Sequence, residues 1–179
     1  MNQSETDRTA RTRHGMKHED RMRVSAIRIA FVESCWHKEI VDRARDSFAA
    51  ETAKLGAEAP AIDFFEVPGS FEIPLQAKLL AQTGRYAAIV AAGLVVDGGN
   101  YRHEFVASTV ISALMRVQLE TAVPVISAVL TPQSFHAHEE HRKFFLEHFV
   151  VKGAEAASAC VRTIDNLRRL RGLEAPSPA

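Results

Sequence analysis

Cysteine is almost missing from this chain: 179 residues hold two, Cys35 and Cys160, with neither C-x-x-C spacing nor a disulfide framework. Such usage suits a reducing compartment, so a cytoplasmic protein is expected. A surplus of one charge is missing too. Lys+Arg and Asp+Glu each number 22, which removes the electrostatic case for a nucleic-acid or acidic-membrane partner. No apolar run approaches the roughly 18–20 residues of a membrane span. The first residues also lack the apolar stretch of a secretory signal. What the chain does have is 46% hydrophobic residues in a length typical of one domain, enough for a substantial core.

The ends and the middle differ. Residues 1–23 are polar, mixed in charge and nearly free of apolar content, so a flexible N-terminal tail is expected there. Residues 172–179 read as a flexible C-terminal tail, which leaves 24–171 as the domain. Within it, strands are expected at 27–32, 61–67, 86–96 and 124–130, each a β-branched or apolar run. Helices are expected at 38–55, with Ile40, Val41, Ala44, Phe48 and Leu55 near one face and Gly56 as a stop, and from Ser70 as N-cap to Gly84, carrying Leu75, Leu79 and Leu80. A third carries Val106, Val110, Leu114 and Val117; two more are expected at 135–149 and 153–171, the second facing Ala157, Cys160, Val161, Ile164 and Leu167 inward. The order βαβαβαβαα implies a parallel sheet covered by helices on both faces.

Ligands of such sheets sit beyond the carboxyl ends of the strands. That rule selects four loops: 33–37 (ESCWH), 68–72 (PGSFE), 97–103 (DGGNYRH) and 131–141 (TPQSFHAHEEH). Each has a bland reading beside a functional one. Trp36 could be a core anchor, but its polar neighbours Ser34, Cys35 and His37 favour an exposed stacking surface. DGGN could be an ordinary turn, yet it follows a buried strand and precedes a helix start, where backbone N–H groups can cradle an anion. His136, His138 and His141 invite a metal reading, as in a metal-dependent hydrolase. The alternative is a solvated or interface face carrying His138, His141, Phe145 and His148, and the lack of a completing ligand set favours it. Cys35 beside His37 could form a nucleophile pair, but sequence neighbours at a strand end need not point together.

Taken together, VPGSFEIP (67–74), GRYAAIVAAGLVVDGG (84–99), VPVISAVLT (123–131) and VKGAEAA (151–157) resemble the lumazine synthase (6,7-dimethyl-8-ribityllumazine synthase) family over about residues 24–170. The "WH", "YRHEF" and His-rich segments look like the branch found in rhizobia and Brucella relatives. The resemblance implies a flavodoxin-like three-layer α/β/α fold with a four-stranded parallel sheet, strand order 2-1-3-4. It implies condensation of 5-amino-6-(D-ribitylamino)uracil with 3,4-dihydroxy-2-butanone 4-phosphate in riboflavin biosynthesis, without metal or organic cofactor. It also implies self-association into pentamers, with active sites between neighbouring subunits, and a decamer through the His-rich helix.

By the same resemblance, Trp36 stacks on the pyrimidine, Ser70, Phe71 and Glu72 hold the ribityl chain, and Leu94, Val95 and Val96 read the pyrimidine edge. Gly99 and Asn100 match the phosphate turn. The chain departs from the pattern elsewhere. The proton-transferring histidine falls on Arg102, with His103 next door as the chemical alternative; Ser127 stands where many members have phenylalanine; and the phosphate-pairing arginine falls at His141-Arg142. A flavin- or lumazine-binding protein with weak or no catalysis is the rival reading.

Overall fold

A computed structural model describes residues 27–97, 102–132 and 139–174. The strands are β1 (Arg28–Ser34), β2 (Ala61–Val67), β3 (Ala88–Leu94) and β4 (Val125–Leu130). The helices are α1 (Lys38–Ala53), α2 (Ile73–Gln82), α3 (His103–Thr121) and α4 (Glu139–Glu174). All strand pairs are parallel, in the order β2-β1-β3-β4. This is the expected 2-1-3-4 sheet.

Strand alternation feeds two separate cores. Ile29 and Phe31 of β1 join Ile40, Val41, Ala44 and Phe48 of α1 and Phe145, Phe149, Cys160 and Ile164 of α4. Ala30 and Val32 point the other way, to Ile73, Ala77 and Leu80 of α2 and Val110, Leu114 and Val117 of α3. Successive side chains leave opposite faces of a strand, so one strand serves both layers. The result is three layers, α/β/α. β3 is buried at every position, which explains why its sequence is an almost unbroken apolar run. The Phe31 and Phe48 rings meet at 5.2 Å in a tilted pair, and burying a side chain such as Phe48 contributes about 1.5–3 kcal/mol.

Several boundaries move. The two expected C-terminal helices are one 36-residue helix, α4, while residues 133–138 lie outside the described ones. Gly153 lies inside this helix and packs against Ala44 of α1, so it serves a close backbone approach rather than a stop. Ser70 does not cap α2. It is the first residue of a 3-10 turn, Ser70–Glu72, whose N-cap is Gly69. Leu75 and Leu79 are exposed, while Ile73, Ala77, Leu80 and Ala81 form the buried side of α2. Leu55 lies beyond α1 and is exposed. Gly56 and Gly84 both have positive φ, 61° and 67°, as helix-ending glycines should.

Candidate active site

The sheet register brings the strand ends level: Ser34 is opposite Val67, and Leu94 is opposite Leu130. Cys35 donates its N–H to the Val67 carbonyl at 2.9 Å, which ties the loop after β1 to the end of β2. Trp36 then stands 60% exposed. His37 turns the chain into α1 through a left-handed backbone, φ 55° and ψ 39°. Its partial burial holds the imidazole below the usual histidine pKa, against the opposing field of Glu39.

The loop after β2 is fixed from within. Glu72 Oε2 accepts the Gly69 N–H at 2.9 Å, closing the 3-10 turn that carries Ser70 and Phe71. Ser70 is buried, and its hydroxyl donates toward Ser34 Oγ at 3.5 Å. Gly93 of β3 makes room for that pair. A Cβ there would lie 2.5 Å from Ser70 Oγ and 3.1 Å from Ser34 Oγ. At the end of β3, Val95 donates its N–H to the Leu130 carbonyl at 2.9 Å.

These three segments enclose a cavity of about 450 Å³, walled by Trp36 and His37, the Pro68–Glu72 turn, Leu94–Val96, and Val106 of α3. Seven residues singled out from the sequence meet here: Trp36, Ser70, Phe71, Glu72, Leu94, Val95 and Val96. His37, Pro68 and Gly69 complete the wall from within the selected loops 33–37 and 68–72, though no individual role was given to them. Val106 of α3 was missed as a wall residue.

Behind the Trp36 loop lies a charged network. Glu33 is 1% exposed and meets Arg45 Nη1 at 3.0 Å and Lys38 Nζ at 4.0 Å. Burial pushes the Glu33 carboxyl up, and the Arg45 charge counters it. Lys38 also pairs with Asp42 at 3.1 Å and with Glu66 on β2. The start of α1 is thereby braced to the ends of both β1 and β2.

The remaining predicted residues fall elsewhere in the chain. Arg102 caps α3 and lays its guanidinium 4.6 Å from the Phe105 ring centroid. His103 is buried, with Nδ1 3.8 Å from Glu104 Oε2. Neither belongs to the cavity wall. Ser127 is exposed on the edge strand β4, where its hydroxyl accepts the Val129 N–H at 3.3 Å. It too lies outside the cavity. His141 and Arg142 sit in the first turn of α4. Arg142 Nε donates to Glu39 Oε1 at 2.8 Å, and its Nη2 donates to Oε2.

Gly99, Asn100, His136 and His138 lie outside the described residues. Among the described residues, no three His, Cys, Asp or Glu side chains gather as a metal cluster. The face expected to hold His138, His141, Phe145 and His148 is not simply solvated: Phe145 is buried, and His148 stacks on Phe144 at 5.3 Å. Cys35 is exposed with Sγ 3.8 Å from Glu66 Oε2. Cys160 is buried, and burial pushes its thiol up to about 12.

Open parallel α/β sheets take their ligands outside the strand carboxyl ends, and a cavity of this size suits a small organic molecule. The chain is therefore a small-molecule-binding α/β protein of the flavodoxin-like class. Its family is narrower still. The model of the family described as 6,7-dimethyl-8-ribityllumazine synthase matches residues 26–168, and the chain belongs to that family. It is 63% identical over 152 residues to "6,7-dimethyl-8-ribityllumazine synthase 2" of Pseudomonas syringae pv. tomato, covering 85% of this chain and 89% of the relative. A 6,7-dimethyl-8-ribityllumazine synthase of Rhodococcus erythropolis is 62% identical over 147 residues, covering 82% and 95%. The protein named "6,7-dimethyl-8-ribityllumazine synthase 2" in Bradyrhizobium diazoefficiens is 61% identical over 145 residues, covering 81% and 87%.

Proposed function

We propose that this chain is a transferase of riboflavin biosynthesis. It condenses 5-amino-6-(D-ribitylamino)uracil with 3,4-dihydroxy-2-butanone 4-phosphate, giving 6,7-dimethyl-8-ribityllumazine, phosphate and water. The observation that carries the reading is the convergence of Trp36, Ser70–Glu72 and Leu94–Val96 on one cavity, in a chain of this family.

Each wall suits one part of the substrates. The exposed indole of Trp36 offers a flat face to the pyrimidine. Glu72 uses Oε2 on Gly69, so Oε1 remains to accept from a ribityl hydroxyl beside Ser70 and Phe71. The Val95 N–H is taken by Leu130, which leaves its carbonyl, with the neighbouring peptide groups of Leu94 and Val96, to read the pyrimidine edge. Gly99, Asn100, His141 and Arg142 are assigned to the phosphate. Arg102 is assigned to the reacting centre as a fixed donor, with His103 as the alternative proton carrier and Ser127 as a pocket residue offered to the neighbouring subunit.

The chemistry asks little more than alignment. An amine of the uracil adds to the ketone to give a carbinolamine, which loses water to form an imine. Elimination then releases phosphate and leaves an enol that tautomerises to a ketone. The second amine adds to that carbonyl and expels a second water as the ring closes. Holding two reactants in register can supply up to about 7–11 kcal/mol of the barrier, and one general acid or base about 10²–10⁴-fold more. No metal or organic cofactor is required by this sequence of steps.

Assembly into pentamers, with two of them meeting as a decamer through the helix that carries His141 and His148, belongs to the same proposal. Its support is apolar surface in helical register: Leu75 and Leu79 of α2, and Ile111, Met115 and Leu119 of α3, are all exposed. Contiguous apolar surface of this kind marks a protein interface. A cytoplasmic location is supported by two free thiols, Cys35 and Cys160.

Incubating the purified protein with both substrates and following lumazine formation tests the activity. Ligand binding without turnover would instead establish a lumazine- or flavin-binding protein.

A further inference from the structure

Arg142 and Glu39 are 103 positions apart in sequence, yet they form a two-point ion pair between the first turn of α4 and the first turn of α1. The Nε and Nη2 edge of the guanidinium is committed to the carboxylate. A guanidinium has five N–H donors in a fixed fork, and among the described residues only the Nε and Nη2 edge is engaged, which leaves the Nη1 side to a second anion. Glu39 is the anchored member of the pair. A carboxylate in the first turn of a helix is favoured by the N–H groups there, and Glu39 lies three residues after Trp36. Lys38 does not compete for it, being turned to Glu33, Asp42 and Glu66. The other charges acting on the pair are His37 and Glu139.

We propose that Glu39 is a positioning residue for phosphate recognition: it grips one edge of Arg142 and turns the free edge toward the phosphate of the four-carbon substrate. The inference rests on the reading of Arg142 as a phosphate partner. Two effects oppose each other. Fixing a long side chain before the ligand arrives removes an ordering cost from binding. The carboxylate also repels the phosphate, but the two anions would lie on opposite edges of one cation, in a half-exposed setting where solvent screens them. Preorganisation therefore prevails.

The test uses the assembled full-length protein, with inorganic phosphate as inhibitor and both substrates in steady state. Glu39→Gln should raise the inhibition constant of inorganic phosphate and the KM for 3,4-dihydroxy-2-butanone 4-phosphate together, by roughly two- to fivefold, the scale of an exposed pair. The KM for the uracil substrate and kcat should stay level, since the lost contact acts on ground state and transition state alike. In the Arg142→Met background, Glu39→Gln should change neither phosphate value further. Phosphate affinity that is unchanged or tighter in Glu39→Gln overturns the inference, as does an equal effect of Glu39→Gln with Arg142 already removed. Arg142→Met that leaves phosphate inhibition unaltered removes the underlying assignment of Arg142 instead, and the positioning role falls with it.

Discussion

The Cβ that Gly153 lacks would lie 2.3 Å from the carbonyl oxygen of Ala44. Helices α1 and α4 cross at that point with backbone against backbone, and Ser47 adds a hydroxyl donated to the Val150 carbonyl at 2.6 Å. In an open helix, Gly→Ala is stabilising by about 1 kcal/mol. Here the obstruction is main chain and cannot rotate away. Gly153→Ala should therefore be destabilising by about 1–3 kcal/mol, read as a lower denaturation midpoint. Gly172→Ala is the control, because its Cβ would meet nothing within 4 Å. Equal responses of the two variants would refute the packing argument.

Trp36→Ala should weaken binding of the uracil substrate or a lumazine by about 0.5–1.5 kcal/mol beyond the area lost, while Trp36→Tyr should retain most of the affinity. The indole is 60% exposed, so neither change should lower the melting temperature much. Calorimetric titration gives both quantities. Affinity untouched in the alanine variant would count against stacking.

Arg102 and His103 are neighbours with opposite surroundings, one laid over Phe105 and the other buried beside Glu104. Arginine stays charged at any working pH and serves as a donor rather than a base. Arg102→Ala should lower kcat by about tenfold or more, within the range of a lost electrostatic contact. His103→Ala should mainly cost stability. Arg102→His should gain a titrating group near pH 6–7 in its rate profile. A group of that kind already present in the parent, and lost only in His103→Ala, would reverse the two roles.

Replacing Leu79 of α2 or Met115 of α3 by glutamate should leave the subunit folded and break the assembly, because both side chains already face outward, at 54% and 53% exposure. A carboxylate buried at an interface without a partner costs several kcal/mol. Light scattering should report a monomer, with activity lost in parallel if the sites are shared. A fully active monomer would end the shared-site model.

His37 titrates below the usual histidine value because it is partly buried. As pH falls under about 6.5, the unfolded chain takes up its proton first. Stability is therefore lost from that point down to the lowered folded value. His37→Asn keeps a residue that accepts the left-handed backbone and removes the titration. Urea midpoints at pH 7 and pH 5 should differ less in the variant than in the parent, and an identical drop would exclude His37 as a source.

Much of this was legible in advance where local chemistry and tertiary need agree. β2 begins at Ala61 and ends at Val67, as read, because Pro68 and Gly69 cannot continue it. Trp36 and Ser70–Glu72 were legible because βα loops must lie at one end of a parallel sheet, whereas Leu94, Val95 and Val96 came from the family resemblance alone. What escaped depends on partners far away in sequence. Gly153 has the composition of a break, and only Ala44 makes it a contact point. Leu75 and Leu79 look like core, since nothing local tells a face covered by the same chain from one left open. The Arg142–Glu39 pair needs the fold before the two residues can be connected.

The single tryptophan of the chain is also the half-uncovered wall of its cavity. All indole emission from this protein thus originates at one point, the mouth of the site. In the free chain that chromophore faces water and should emit at long wavelength. A flat heterocycle laid on it would quench it, and a neighbouring subunit closing over it would shift it toward the blue. Occupancy and subunit closure could then be followed separately in the same cuvette, without attaching a dye.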